Sequence, residues 1–153
     1  MSKLWLEDLV VGRRFQAGPI VFEAEMIKTF ARDNDPQYFH VDEETASRSI
    51  FGGLIASGWQ TAALTMRAVL GDGAVFGDGV VGAGGELRWL RPVRPGDRLS
   101  VDGEILEITT SPARPDRGMV KVLLTTSNQH GQPVQTLGAD LVVFSRRRAT
   151  GAD

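Results

Sequence analysis

The chain contains no cysteine, two histidines and one tyrosine. Without cysteine there is no disulfide, thiolate nucleophile, iron–sulfur cluster or Cys-ligated zinc. With only His40 and His130, a multi-His metal site within one chain is not expected, and neither a metal nor any other cofactor is. No apolar run reaches the roughly 20 residues that span a bilayer. In the N-terminal stretch MSKLWLEDLVVG, Glu7 and Asp8 interrupt what would be the apolar core of a signal peptide. A cytoplasmic protein with no membrane partner is expected. There is no basic excess either. The formal net charge is -2, whereas neutralising phosphates requires a basic face, so a nucleic-acid partner is not expected.

What is present suits one domain over residues 1–153, with the polar end 146–153 expected to fray. Hydrophobic residues make up 42% and charged residues 24%, enough for a packed core. Pro19–Glu23 reads as a strand. Glu25–Arg32 reads as a helix that ends near Asn34, because Pro36 disfavours helical geometry at Asp35. A long connection follows, with a short helix around Glu43–Ser47. From Ser57 a helical run places Trp59, Ala62, Ala63, Met66 and Leu70 on one face, read as facing the core. Ser57 is a candidate N-cap and Gly71 a stop. Strands are predicted over Gly84–Val93, Arg98–Thr109, Gly118–Gln129 and Pro133–Ser145, separated by turn residues. The string Gly77-Asp78-Gly79-Val80-Val81-Gly82 fits the dinucleotide-binding spacing. It lies between a helix and a strand, the reverse of what that motif needs, and reads as a turn plus a glycine-rich strand.

The chemistry concentrates between Phe30 and Met66. Asp35 stands five residues before His40 in a proline-interrupted loop, and Ser57-Gly58 opens the long helix. A carboxylate and an imidazole can share the proton work on one water. A helix N-terminus offers unpaired N–H donors to a developing negative charge. Taken singly, each has an ordinary role: Asp35 as a turn residue, His40 as a half-buried side chain, Ser57-Gly58 as a plain helix start. Asp33 is a competing acid, but it belongs to the helix end. Trp59 reads as core and His130 as surface.

Segment 30–66 and the order of elements resemble the MaoC-like hydratases, which include the (R)-specific enoyl-CoA hydratases. The family pattern is roughly Asp-x-Asn-Pro-aliphatic-His followed by a His-Gly pair at the central helix. Here Asp35 and His40 keep the spacing, and Val41-Asp42 follow as the pattern often has it. Gln37 and Tyr38 replace the motif's Asn and Pro, and Ser57-Gly58 replaces His-Gly. The stretch Trp89–Val101 also looks like the family's strand–turn–strand. The resemblance implies an α+β hot-dog fold, a strongly twisted antiparallel sheet wrapped around a long central helix. It implies interconversion of trans-2-enoyl-CoA and (R)-3-hydroxyacyl-CoA thioesters. Asp35 and His40 would be the acid–base pair, the Gly58 N–H the oxyanion donor, and Ser57 a cap or second polar contact. The acyl-CoA is substrate, and no separate cofactor is implied. Gln37, Tyr38, Phe39, Phe51, Leu54, Ile55 and Gln60 are the candidate substrate contacts. Arg88, Arg91, Arg94, Arg98 and Arg146–Arg148 are candidate phosphate contacts. Exposed sheet edges, together with the family, imply a homodimer or higher homo-oligomer. Two other readings stay open: a hot-dog acyl-CoA thioesterase, marked by thiol release, and a non-catalytic acyl-thioester binding module, marked by ligand stabilisation without turnover.

Overall fold

A computed structural model describes residues 2–149. Alternation of buried and exposed positions gives the sheet its inner face, most clearly in β3 (Arg98–Thr110) and β4 (Arg117–Ser127). With β1 (Arg14–Val21), β2 (Val80–Trp89) and β5 (Pro133–Phe144) they form one five-stranded sheet in the order β1-β3-β4-β5-β2. Every strand pairing is antiparallel. The helices are α1 (Ala24–Asn34), α2 (Tyr38–Val41), α3 (Glu43–Ala46), α4 (Gly58–Ala68) and α5 (Arg146–Ala149). This is the hot-dog arrangement, with α4 as the central helix.

β1 begins earlier than the sequence suggests, at Arg14. Its first half carries the exposed Arg14 and Gln16, which donate to Glu104 and Asp102 across the sheet rather than adding apolar signal. The register shifts between Ala17 and Ile20. α1 ends at Asn34 as expected, with Asp35 in its C-cap position. α2 was not anticipated. α4 does not stop at Gly71; its last turn widens into a π-helical turn over Val69–Gly73. The glycine string 77–82 leads from helix to strand, as read.

One expectation is corrected. The helical face of Trp59, Ala63, Met66 and Leu70 points outward: Trp59 is 60% and Met66 56% exposed. The face against the sheet is instead Gln60, Thr61, Thr65 and Ala68. Hydrophobic periodicity finds the stripe but not which side the sheet covers. At the C-terminal end, Arg146–Ala149 form α5 and Arg146 reaches back to the N-terminal segment. Its guanidinium meets both oxygens of Asp8 at 2.7 Å, and Arg148 bonds Asp78. Residues 150–153 of the expected tail lie outside the described residues.

The core has two parts. One packs Ala68 and Val69 against Val101, Ile105, Val120, Val122, Leu124 and Val143. The other gathers Phe22, Ile27, Ala46, Leu54, Ala56, Val93, Leu99 and Val134. Burying a large apolar side chain contributes about 1.5–3 kcal/mol. The second cluster thus anchors both the 54–56 segment, which lines the cleft described next, and α1, which leads into it.

Candidate active site

Pro36 ends α1 and turns the chain so that Asp35 leaves the helix toward the start of α4. One turn later α2 carries His40 inward, with only 5% of its surface exposed. The His40 Nδ1 lies 2.7 Å from the carbonyl oxygen of Ile55. A carbonyl only accepts, so Nδ1 carries a proton and Nε2 faces the acid. Nε2 stands 3.3 Å from Asp35 Oδ2. With a proton on Nε2 this contact is an ion pair. Without one, two lone pairs face each other, and a water that donates one hydrogen to each relieves the repulsion.

Asp35 is held at both oxygens. Ser57 Oγ donates to Oδ2 at 2.7 Å and Gln37 Nε2 donates to Oδ1 at 2.8 Å. Burial alone would raise the Asp35 pKa. The two hydrogen bonds and the charge of His40 outweigh it and hold the carboxyl below its ordinary range. Ser57 occupies the N-cap position of α4 without capping it through its side chain. Of the two roles read for it, the polar contact is the one seen. Asp33 sits exposed on α1, away from this pair.

The Gly58 N–H is the first of α4 and has no hydrogen-bond partner among the described residues. A Cβ at Gly58 would collide with the Trp89 ring, so the close approach requires glycine. Trp89 Nε1 donates to the Gly58 carbonyl at 3.0 Å.

Asp35, Gln37, His40, Gly58 and Trp89 line one open cleft of about 470 Å³, and Ser57, fully buried behind Asp35, does not. Asp35, Gln37, His40 and Gly58 form its polar side, and Phe39, Phe51, Ile55 and Val93 an apolar side. The Phe39 ring meets those of His40 at 4.6 Å and Phe51 at 5.3 Å, edge to face. Three predicted contacts are not in the lining. Tyr38 is half-exposed and packs on Phe39. Leu54 belongs to the core. Gln60 is buried and donates to the Met26 carbonyl at 3.0 Å. Trp59, read as core, is exposed and borders the cleft. Thr61 and Trp89 also line it and were not anticipated. Thr61 carries a buried hydroxyl without a partner among the described residues. Of the candidate arginines, Arg91 alone is in the lining, donating to the Pro133 carbonyl. Arg94 is tied to the Phe51 carbonyl, and Arg88 to Glu86. His130 is exposed in a turn.

The hot-dog sheet thus places a carboxylate–imidazole pair beside the N-terminus of its central helix. The chain belongs to the MaoC-like domain family, whose pattern matches residues 9–128. It is 52% identical to a MaoC-like dehydratase from Rhodospirillum rubrum, with a TM-score of 0.90 over 94% of this chain and 98% of that one. The unliganded R-hydratase PhaJ1 from Pseudomonas aeruginosa superposes with a TM-score of 0.77 at 28% identity, over 94% of this chain and 87% of that one. The uncharacterized protein YdeM of Bacillus subtilis is 36% identical over 145 residues, 93% of this chain and 99% of the relative. Family and neighbours together support hydratase or dehydratase chemistry in general terms.

Proposed function

We propose that this protein is a hydratase/dehydratase interconverting trans-2-enoyl-CoA and (R)-3-hydroxyacyl-CoA thioesters. The observation that carries the reading is the 3.3 Å Asp35–His40 contact in a cleft that the unpaired N–H end of α4 also lines. In the hydration direction, one water bridges Asp35 Oδ2 and His40 Nε2 from the cleft side, within hydrogen-bond reach of both. Asp35 takes its proton as the oxygen bonds to the β-carbon, and His40 orients the water and shares the proton traffic. Electron density moves through the conjugated system onto the thioester oxygen, which the Gly58 N–H receives. An oxyanion donor of this kind contributes about 3–4 kcal/mol. The same proton then passes to the α-carbon, so all the atoms of one water are added. Delivery of both parts from one side implies syn addition and one stereoisomer. The reaction needs only water and the thioester, so no cofactor enters.

Phe39, Phe51 and Ile55 are the acyl contacts in this reading, and Gln37 holds Asp35 rather than the substrate. Ser57, too, acts through Asp35. The protein works in the cytoplasm as a homodimer. The outward apolar face of α4 and the β2 edge frame a groove of about 630 Å³ lined by Ala62, Ala63, Met66, Leu70, Leu87 and Leu137, among others. An apolar face beside an unpaired strand edge suits a second copy of the chain. Among the described residues no helix is long and apolar enough to cross a membrane.

The test is a spectroscopic assay with short, medium and branched trans-2-enoyl-CoAs. Loss of the conjugated-thioester absorbance with hydroxyacyl-CoA as product is expected. Release of free thiol without hydration would replace this reading with a thioesterase. Ligand-induced stabilisation with neither signal would replace it with a binding module.

A further inference from the structure

On the buried side of α4, Thr65 belongs to a chain of polar groups that ends at Gly58 in the candidate active site. Thr65, Thr126 and Gln135 are all fully buried. The hydroxyls of Thr65 and Thr126 lie 3.0 Å apart, and Gln135 Nε2 donates to Thr65 Oγ1 at 3.2 Å. The indole N–H of Trp89 only donates, so the Gln135 amide must turn its oxygen toward it, at 3.1 Å. The same N–H reaches the Gly58 carbonyl at 3.0 Å. Four elements, β4, α4, β5 and β2, are thereby joined to the first residue of α4.

An apolar helix face would pack against a sheet without such a network. Buried polar groups are tolerable only when paired, and once paired they fix one geometry. The geometry fixed here is that of Gly58. The Trp89 ring fills the space a Cβ would take at Gly58, and its N–H grips the same residue's carbonyl. Ring and hydrogen bond together meet the first residue of α4 at two points.

We propose that Trp89, itself fixed by Gln135, is a positioning residue that holds Gly58 so that its N–H meets the thioester oxygen. This rests on the reading of Gly58 as the oxyanion donor. A donor that supports the developing enolate acts on turnover more than on substrate binding.

The experiment uses the full chain with Trp89→Phe, which keeps an aromatic ring but deletes the N–H together with the five-membered part of the indole, and Thr65→Val, which cuts the network two links further back and leaves the Trp89 indole intact. kcat and KM for an enoyl-CoA are measured alongside the Gly58 amide resonance. Trp89→Phe is expected to lower kcat about tenfold, since small misplacements cost up to about 10²-fold, with KM within about twofold. The Gly58 resonance shifts. Thr65→Val gives the same pattern more weakly, and it decides the matter if Trp89→Phe does not fold. An unchanged kcat in both folded variants, or a rise in KM alone, overturns the positioning role while the hydratase reading stands. A wild type without turnover overturns the reading itself, and the inference with it.

Discussion

At the scale of single residues, the site turns on how Asp35 is held. Ser57 and Gln37 donate to it, and His40 stands beside it. Burial works against the carboxylate, and these partners prevail. The sign follows: the stabilisation that ionised Asp35 lends the fold is present above its unfolded pKa and is lost as pH falls through the lower, folded one. A carbon NMR titration is therefore expected to place the Asp35 midpoint below the model-peptide value of about 3.9. Ser57→Ala removes one lowering contact, so the midpoint should move up; an unmoved midpoint would deny the contact any effect. Gly58→Ala pushes a methyl into the Trp89 ring and should lower hydration by at least about tenfold, because overpacking at that contact displaces the donor. The Asp35–His40 spacing was legible in the sequence because both residue types carry chemistry. The role of Ser57 was not, because the sequence fits equally a cap and a contact 22 residues back in the chain. Trp89 gave no signal at all: an aromatic in a strand reads as packing, and its partner Gln135 is 46 residues away.

At the scale of elements, the four C-terminal strands were readable to within about four residues, since each is bracketed by turn chemistry. β1 was read short, because Arg14 and Gln16 hide its first half behind polar side chains. α4 was found, but with the wrong side inward. A sheet-facing helix ordinarily buries its apolar stripe, and here the buried side is Gln60, Thr61 and Thr65. The sequence shows a stripe and cannot show what covers it. The edge strand β2 leans closely on β5: a Cβ on Gly85 would strike the Gly138 carbonyl. Because that obstacle is backbone, Gly85→Ala should destabilise the protein by about 1–3 kcal/mol, read as a lower midpoint in urea denaturation. An unchanged midpoint would mean the strand shifts freely.

At the scale of the whole molecule, the sheet has two edges that are treated differently. Both carry a register shift, β1 near Pro19 and β2 between Gly82 and Gly84, but β2 alone lines the apolar groove. Pairing through the β2 side predicts a dimer by light scattering. Met66→Lys, which places a charge on the outward face of α4, should shift it toward monomer; a wild type that is monomeric at working concentration would contradict the assembly. Trp59 borders both groove and cleft, so the two surfaces adjoin. The fold thus brings an acid, an imidazole and a helix N-terminus from 24 residues of chain, Asp35 to Gly58, into one cleft. That convergence is tested most directly by comparing enoyl-CoA hydration in wild type, Asp35→Asn and His40→Gln, with circular dichroism confirming the fold. Turnover in wild type and a loss of at least about 10²-fold in each variant is the expected result. Folded variants that hydrate as fast as wild type would contradict it.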